Sequence, residues 1–536
     1  MSTATPLAFT PPCVIHEDEH LLVVHKPAGW NTHAPSPFAG EGLYDWLRHR
    51  EARWAGLAII HRLDKDTSGV LVFGKTLLAS RSLTEQFAGR SVQKKYLLLT
   101  AGKPGQPEFT ATSRIARAGD HYASGPAGDL AETAFAVRAS AAGVPGAVLV
   151  EATPLTGRTH QIRVHAAEHG FPILGDTLYG GAPFPRVCLH AAELVVEHPA
   201  TGQRVTFSAP VDFPADARHA IRTASIAPAD TDSLRLIHGA SDGWPGWYVD
   251  QLGDFLLSQG EAPISSAQRQ HLDSRSAPNG ARVYHKLLSR HVRGTTSTEA
   301  SPQWISGEPA PERFVIRENG VMFEIGLNEG YSVGLFLDQR DNRRRLLTGH
   351  IAAGFTLQSP GSALELLNTF AYSCGFSVCA ALGGAHTTSL DLSKNYLARG
   401  KHNFVLNGVD LEQHDFIYGD TFDWLRRLAK KDRAFDAVIL DPPTFSQARE
   451  SGVVRAERDY GALVAAAVPV LKRDGVLFAS SNAARMPPEA FLGQITAAVR
   501  DAGRRVLQQH YVPQPPDFPI SRADPAYLKT VWLRIS

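Results

Sequence analysis

Two stretches of the chain combine residue types that can do chemistry, and the first runs from His61 to Gly69. It reads HRLDKDTSG and leads directly into the apolar segment 70–73. Asp64 within it offers a carboxylate, a group that can act as a nucleophile or take up a proton. The alternative is a polar surface loop that ends in turn-forming residues, and the residue types alone do not decide between the two.

The second stretch is Asp441-Pro442-Pro443-Thr444-Phe445-Ser446, which follows the apolar run 437–440. Proline cannot continue a buried strand, so the chain has to turn outward and leave Asp441 and Phe445 near any ligand bound at that sheet edge. Asp391 comes at the end of an earlier predicted strand, where an acid can grip a ribose hydroxyl. This pattern indicates a site for a nucleoside-containing cofactor.

The elements that must position Asp64 are predicted to be short strands. Residues 21–25, 69–73, 95–100, 147–151, 192–196 and 204–207 have the apolar and β-branched pattern of strands. One helix is predicted over 76–88, and another from Thr159, a good N-cap, to the stop at Gly170. Because strands outnumber helices, we expect an α+β domain built on a mixed sheet.

The composition shifts near residue 224, so we assign 1–222 to the first domain and 223–232 to a linker. A small α+β domain is predicted over 233–312, with a mobile loop at 294–312 that is rich in Ser, Thr, Pro and Gly. Residues 313–536 alternate strands and helices, which indicates an α/β domain with a parallel, Rossmann-like sheet. Ligands bind such sheets at the carboxyl ends of the strands.

Bulk properties exclude several classes of protein. The 536 residues are 43% hydrophobic and 20% charged, and no apolar run approaches the length of a membrane span. Residues 1–222 hold 21 Lys and Arg against 20 Asp and Glu, and the rest of the chain holds 33 against 33, so neither part has the basic excess of a non-specific nucleic-acid binder. Four cysteines without metal-binding spacing predict a cytoplasmic protein with no structural metal.

Three further segments belong with the motif around Asp64 in a single set of motifs. They are 26–30 (KPAGW), 157–165 (GRTHQIRVH) and 172–180 (PILGDTLYG). With the motif at 61–73, they make residues 12–215 resemble the RluA-type pseudouridine synthases. The resemblance implies isomerisation of uridine to pseudouridine in ribosomal or transfer RNA.

By this resemblance Asp64 is the catalytic carboxylate, although whether it attacks the sugar or the base stays open. Arg62 would enter the space left by the flipped base, the alternative being a surface ion pair. Arg163 would keep Asp64 ionised through a charge-assisted bond, or would instead bind phosphate. Tyr96 matches the tyrosine that the family places against the target base, the alternative being a core residue.

The third domain resembles the class I S-adenosylmethionine-dependent methyltransferases, and within them the RlmK/RlmI-type ribosomal RNA enzymes, over residues 233–536. The resemblance implies that the target base is bound by Pro442, Pro443 and Phe445. It implies S-adenosylmethionine binding by Asp338, Gln339, Arg340, Asn368, Phe370, Tyr372, Gly375, Asp391, Asp420 and Asp441. Arg343, Arg344 and Arg345, together with Arg340, could instead form a solvated helix face or hold RNA phosphates.

One departure from the family lies at Cys374, where the first glycine of the cofactor loop is usual. If this position needs a positive φ, a side chain there costs on the order of 1 kcal/mol. Methylation of cytosine carbon 5 needs a cysteine nucleophile. The segment where RlmI-type enzymes carry a cysteine is 479–482, and it reads ASSN here. Guanine nitrogen 7 has a free lone pair, so we expect 7-methylguanosine in large-subunit ribosomal RNA.

The sequence therefore predicts a bifunctional RNA modification enzyme with S-adenosylmethionine as cofactor. Its RNA is expected to be 23S rRNA, with transfer RNA also open for the synthase. The alternative is an active synthase whose C-terminal half only binds RNA or assists assembly. A dinucleotide-dependent oxidoreductase is disfavoured because the cofactor loop lacks Gly-x-Gly-x-x-Gly.

Overall fold

The computed structural model describes residues 10–39, 42–140, 144–274, 281–288, 301–328, 330, 332–357, 364–443, 445–448 and 452–536. For 139–140, 445–448 and 452–458 only the backbone is described. The predicted class, multidomain α+β and α/β, is confirmed, because the larger sheets of the described chain lie one in each predicted domain. Among the described helices, none is long and apolar enough to cross a membrane.

The first domain is built on a sheet of eleven described strands, whose pairs are antiparallel apart from one parallel pair. Its strands are β1 Val14–Glu17, β2 Leu21–Lys26, β3 Ala58–Ile59, β4 Ser68–Gly74, β5 Gln93–Thr100, β6 Glu108–Ala118, β7 His121–Ser124, β8 Asp129–Ser140, β9 Val148–Pro154, β10 Leu189–Glu197 and β11 Arg204–Ser208. Its helices are α1 Leu43–Arg50, α2 Leu77–Ala88, α3 Gln161–Glu168 and α4 Ala217–Ser225. The main path runs β1-β2-β4-β10-β5-β9-β8-β6-β7, with β11 on β10 and β3 on β4.

The predicted strands and the helix α2 are found close to their expected bounds, and β4 is buried along its whole length. Two expectations need correction. Helix α3 begins after His160, which has a left-handed backbone at φ 56°, so Thr159 is not its N-cap. Helix α4 continues to Ser225 across the predicted boundary, so the linker begins only after that residue.

The middle domain contains β12 Ser233–His238, β13 Trp247–Leu252, β14 Phe255–Gly260, α5 Ser266–Ser274, β15 Arg282–Leu287 and β16 Gln303–Ser306. The mobile loop predicted at 294–312 is wrong over β16, which pairs with β15, and its part at 294–300 lies outside the described residues. A hairpin of β17 Phe314–Glu318 and β18 Val321–Ile325 leads into the third domain.

The third domain has the predicted alternation of strands and helices. Its helices are α6 Arg340–Thr348, α7 Gly375–Leu382, α8 Lys394–Leu406, α9 Thr421–Lys430, α10 Ala456–Ala467 and α11 Pro488–Asp501. Its strands are β19 His350–Ala352, β20 Phe355–Thr356, β21 Leu364–Thr369, β22 Ala385–Asp391, β23 Asp415–Tyr418, β24 Phe435–Leu440, β25 Phe445–Ala448, β26 Gly452–Arg455, β27 Leu471–Ser481, β28 Val506–Val512 and β29 Lys529–Ile535.

The large sheet of this domain has the order β23-β22-β21-β24-β27-β29-β28. The first five strands are parallel, as predicted. Strand β29, which lies beyond the predicted strands, is antiparallel to both of its neighbours. The carboxyl ends of β21, β22 and β24 meet at one edge, which carries Asp391 and Asp441.

The first and third domains meet where α1 lies against α6. Arg344 forms a buried ion pair with Glu51, which directly follows α1. The indole of Trp46 donates to Asp341 at 3.3 Å, and the Arg50 guanidinium stacks over the Trp46 ring.

This contact corrects the expectation for the arginines of α6. Arg340 pairs with Asp517, Arg343 with Glu318 and Arg344 with Glu51, and Arg345 donates to the Ile351 carbonyl. All four arginines are buried, so they form neither a solvated face nor a surface for RNA phosphates. A buried guanidinium needs such partners because an unpaired charge in the interior is very costly.

Candidate active sites

A cavity of about 770 Å³ opens over the Asp64 loop in the first domain. Arg62, Asp64, Tyr96 and Arg163 all line it. Asp64 and Arg62 come from the loop before β4, Tyr96 comes from β5 and Arg163 from α3. The four residues predicted to be catalytic therefore share one cavity, which is large enough to admit a nucleotide base.

The Asp64 loop is held by hydrogen bonds to its backbone. The Lys26 ammonium is fully buried and donates to the carbonyls of Pro27, Trp30 and Lys65 at 2.9, 2.7 and 3.0 Å. Burial lowers the pKa of Lys26 to about 7. Lys26 of the KPAGW segment thus stabilises the backbone of the loop, a role that the sequence did not reveal.

A second side chain, that of Thr32, holds the loop at the residue before Asp64. The Thr32 hydroxyl donates to the Leu63 carbonyl at 2.7 Å and lies 3.2 Å from the Leu63 amide. His61 is also fixed, because its Nε2 accepts from the Val72 amide and its ring stacks on Phe87. Burial lowers the pKa of His61 to about 3, so this ring is neutral.

Arg163 does not make the ion pair predicted for it. Its guanidinium bonds both carboxylate oxygens of Asp176 at 2.7 Å, and the two side chains are 6% and 1% exposed. Asp64, with its side chain 32% exposed, instead has His160 Nε2 at 3.9 Å. The planar guanidinium of Arg163 binds one carboxylate through two hydrogen bonds. That carboxylate belongs to Asp176, in the segment 172–180.

His160 therefore stands between Arg163 and Asp64. Arg163 donates to His160 Nε2 at 3.0 Å, which leaves the proton on Nδ1 to be donated to the Tyr179 hydroxyl at 2.8 Å. Burial lowers the pKa of His160 further, so the ring is neutral. Sequence reasoning missed His160, Asp176 and Tyr179 as site residues, although all three lie in segments that carried the resemblance.

Tyr96 and Arg62 both line the cavity but differ in exposure. Tyr96 pairs across the sheet with Ala191 and Ala152, and its pKa is raised by burial and by the Asp64 carboxylate. Arg62 is exposed at the cavity mouth, where a guanidinium can follow a displaced base or meet a phosphate. Tyr96 packs at the edge of a core cluster and also lines the cavity, and its place against the target base stays a prediction.

At the ligand edge of the third domain, Asp391 organises the loop after β21. Its two oxygens accept from the amides of Tyr372 and Ser393, each at 2.8 Å. Burial raises the pKa of Asp391. Asn368 is fully buried and donates to Ser377, while its Oδ1 has no partner among the described residues.

Three residues of this loop have a left-handed backbone: Phe370 at φ 55°, Tyr372 at 49° and Cys374 at 60°. The positive φ expected at Cys374 is thus present, and the side chain is accommodated by Gly400 of α8. A methyl group at Gly400 would overlap Cys374 Sγ and lie 2.9 Å from its Cβ. The departure from glycine at 374 is matched by a glycine across the helix interface.

The segment before α6 reaches the same edge through Gln339. Its amide donates to Ser480 Oγ at 2.9 Å and lies 3.4 Å from Asp441 Oδ1. Burial raises the pKa of Asp441 to about 6. Asp338 accepts from the Tyr527 hydroxyl at 2.8 Å, and burial raises its pKa too.

Other predicted cofactor residues occupy structural positions. The guanidinium of Arg340 is buried in an ion pair with Asp517. Asp420 caps α9, its Oδ1 accepting from the Asp423 amide at 3.1 Å. Gly375 begins α7 with Leu335 close enough that an added Cβ would lie 3.1 Å from it.

Of the residues predicted to hold the target base, Pro442 is buried and Pro443 is exposed directly after β24. The side chain of Phe445 lies outside the described residues. For the cofactor, the edge fits an adenosyl group: it offers the carboxylate of Asp391, the unpartnered oxygen of Asn368 and the amino end of α7.

Comparison with known proteins agrees with both halves. The family model for S-adenosylmethionine-dependent methyltransferases matches residues 235–534, and that for RNA pseudouridylate synthases matches 20–168. A ribosomal RNA large subunit methyltransferase of Deinococcus radiodurans is 35% identical over 335 residues, covering 60% of this chain and 78% of that protein.

Ribosomal RNA large subunit methyltransferase I of Aeromonas salmonicida is 33% identical over 307 residues, covering 56% of this chain and 74% of that protein. The solved structure of Human RNA Pseudouridylate Synthase Domain Containing 1 is 26% identical, covers 39% of this chain and 86% of that one, and has a TM-score of 0.31. The chain belongs to the S-adenosylmethionine-dependent methyltransferase family and carries an RluA-type pseudouridine synthase domain on the same polypeptide.

Proposed function

We propose that the chain isomerises a uridine and methylates a guanine in large-subunit ribosomal RNA. For the first activity we propose Asp64, Arg62 and Tyr96 as the catalytic residues, and Arg163 as a positioning residue that acts through Asp176 and His160. The observation that carries this assignment is the single cavity that all four line. The names of the methyltransferase relatives support ribosomal RNA as the substrate.

The synthase reaction rearranges bonds without any net gain or loss of atoms. The bond from ribose carbon 1′ to base nitrogen 1 breaks, the base turns, and carbon 1′ bonds to base carbon 5. Carbon 5 then loses its proton and nitrogen 1 gains one. The Asp64 carboxylate serves as the nucleophile or as the proton acceptor. The neighbouring His160 is neutral, so it lines the cavity with a polar ring and adds no positive charge beside Asp64.

The uridine has to leave its base stack to reach Asp64, at a free-energy cost of a few kcal/mol. Arg62, exposed at the cavity mouth, is proposed to fill the space that the base leaves. This cost is lower in loops and single strands, so we expect a target in unpaired RNA.

The substitution Asp64→Ala tests the synthase assignment. With large-subunit rRNA transcribed from [5-³H]uridine, we expect tritium release to fall to background while S-adenosylmethionine binding is unchanged. Asp120→Ala, a change at a 90% exposed carboxylate of the same domain, is the control and should keep full release. Unchanged tritium release by Asp64→Ala would contradict the assignment.

For the second activity, we propose that Asp391 and Asn368 hold the cofactor, with Gln339 and Asp441 beside the reacting base. The bound cofactor supplies an electrophilic methyl group on a sulfonium. Guanine nitrogen 7 would attack that methyl carbon with its own lone pair, so that the methyl–sulfur bond breaks and 7-methylguanosine and S-adenosylhomocysteine form. No general base is needed, and orientation of the base suffices.

The cysteines support nitrogen over carbon methylation. Cys374 and Cys379 are buried, and burial raises the pKa of Cys374 to about 12. Ser480 and Ser481, in the segment where a nucleophilic cysteine would stand, are buried as well. No thiol of the third domain is therefore positioned to add to a cytosine ring, within the part of the chain that the structure describes.

Nucleoside mass spectrometry of transcribed large-subunit rRNA, treated with the enzyme and S-adenosylmethionine, tests this proposal. We expect 7-methylguanosine, and 5-methylcytidine as the product would contradict it. In calorimetric titration, Asp391→Asn should weaken cofactor binding about tenfold or more through loss of a charged hydrogen-bond acceptor. Asp410→Asn, at an exposed helix start on the same domain, should bind as the wild type does.

A further inference from the structure

The segment 31–39 of the synthase domain reaches from the uridine cavity to the methyltransferase domain. Near its start, Asn31, Thr32, His33 and Pro35 form part of the cavity wall. Seven residues beyond Asn31, Phe38 packs on the third domain. A wall of one active site is thus anchored on the other enzyme.

The near end of the segment is tied to α1 and to the catalytic loop. The amides of Leu43 and Tyr44 donate to the carbonyls of Asn31 and Thr32, each at 2.9 Å. Thr32 bonds Leu63, the residue directly before Asp64, through both the carbonyl and the amide. A displacement of the segment would therefore be felt next to the catalytic carboxylate.

The far end of the segment is held by one aromatic contact. The ring of Phe38 meets that of Tyr511 edge to face, with centroids 5.0 Å apart and planes at 84°. Tyr511 is buried in the core of the third domain, one residue before the end of β28. Its hydroxyl has no hydrogen-bond partner in the described part of the chain, so the ring alone makes the contact.

The methyltransferase domain also fixes the helix on which the segment rests. Asp341 and Arg344 of α6 contact Trp46 and Glu51, and the His49 ring lies 4.4 Å from that of His510 on β28. These contacts leave α1 little freedom to move against the third domain. Both ends of the segment 31–39 are thus held against the third domain, the near end through α1 and the far end through Phe38.

We propose that the methyltransferase domain positions this wall of the synthase cavity and that Tyr511 is a positioning residue for pseudouridine formation. The inference rests on the proposed synthase function. It assigns the third domain a part in uridine isomerisation that does not involve methyl transfer. RNA bound in the cavity would meet a wall whose shape depends on Phe38 staying seated on Tyr511.

The test uses the full chain with the variants Tyr511→Ala and Phe38→Ala. With [5-³H]uridine-labelled large-subunit rRNA, we expect the KM for RNA to rise about fivefold while kcat stays near the wild-type value, because an edge-to-face contact is worth about that factor. Tyr511→Phe keeps the ring and should restore the wild-type KM. Leu507→Ala, at an exposed position on the same strand, is the matched control.

A second readout does not depend on catalysis. Amide deuterium uptake of residues 31–39 in the free enzyme should be faster in both alanine variants than in Tyr511→Phe or Leu507→Ala. Unchanged uptake together with an unchanged KM would overturn the proposal. If the wild type releases no tritium from this RNA, the proposed substrate is wrong, and the uptake result alone then decides whether Tyr511 holds the wall.

Discussion

At the scale of single residues, the synthase site is built by fixing backbone rather than by fixing the carboxylate that we propose to be catalytic. Lys26 and Thr32 bond the residues on either side of Asp64, while Asp64 itself stays partly open to solvent. The guanidinium of Arg163 is bound by Asp176, so this charge pair lies next to the site and does not include Asp64. A carboxylate left without a tight partner keeps its nucleophilic lone pairs available to substrate.

The pair of Arg163 and Asp176 can be tested by substitution. Asp176→Asn leaves a buried guanidinium without a counter-charge, which should lower the free energy of unfolding by about 3–5 kcal/mol. The double variant Arg163→Met/Asp176→Leu should recover most of that stability and yet form no pseudouridine. Urea unfolding and tritium release are the two measurements, and a stable, inactive Asp176→Asn protein would contradict the first expectation.

At the scale of elements, the apolar strands and helix α2 were predictable because their signals are local. Helix α1 was missed, since its three buried residues, Leu43, Trp46 and Leu47, occupy only two turns. The arginines of α6 were misjudged because their partners Glu318, Asp517 and Glu51 lie 25, 177 and 293 residues away along the chain. Sequence patterns identify which residues are charged, but only folding brings the partners together.

The candidate sites divide in the same way. Asp391 ends a strand, Asp441 follows one and Asp64 precedes one, so the motif and the strand end together predict where they lie. Asp420 also follows a strand but caps a helix, and Arg340, at the start of α6, is drawn into an ion pair. Competition for a side chain by neighbouring structure is a tertiary property and leaves no mark in the motif itself.

The fit between Cys374 in the cofactor loop and Gly400 in α8 makes an element-scale prediction. Gly400→Ala should weaken S-adenosylmethionine binding about tenfold or more, because the new methyl group overlaps Cys374 and has to displace the loop. In the Cys374→Gly background the same change should have little effect, since the overlapping atoms are gone. Calorimetric titration of the four proteins measures the coupling, and additive effects would contradict the proposed fit.

At the scale of the whole molecule, two half-buried histidines meet at the contact between the two enzymes. His49 of α1 and His510 of β28 lie ring to ring, and the Ala353 amide donates to His49 Nδ1 at 3.2 Å. Burial lowers the pKa of His49 to about 3 and that of His510 well below its usual range. The junction is therefore adapted to uncharged imidazoles.

These values give a direction for the pH dependence of stability. In the unfolded chain the two histidines take up protons near pH 6.5, whereas in the folded protein they do so only at much lower pH. Their contribution to stability is thus complete above about pH 6.5 and is lost as the pH falls toward 3. Between pH 7 and pH 5, we expect a steep fall in the free energy of unfolding.

His510→Phe keeps an aromatic ring at the junction and removes one titrating group. Urea unfolding across this pH range should then show about one proton fewer taken up on unfolding than in the wild type. The comparison is between slopes, so a change in absolute stability does not obscure it. Equal slopes in the two proteins would contradict a role for His510 in acid sensitivity.

The buried pair of Arg344 and Glu51 ties the folding of each enzyme to the ligands of the other. A ligand that binds only the folded state stabilises everything that unfolds together with its site. If the two domains melt as one unit, S-adenosylmethionine in the cell also lengthens the lifetime of the uridine cavity, although it never enters that cavity. A supply of methyl donor would then regulate how much active synthase survives, through protein turnover rather than through catalysis.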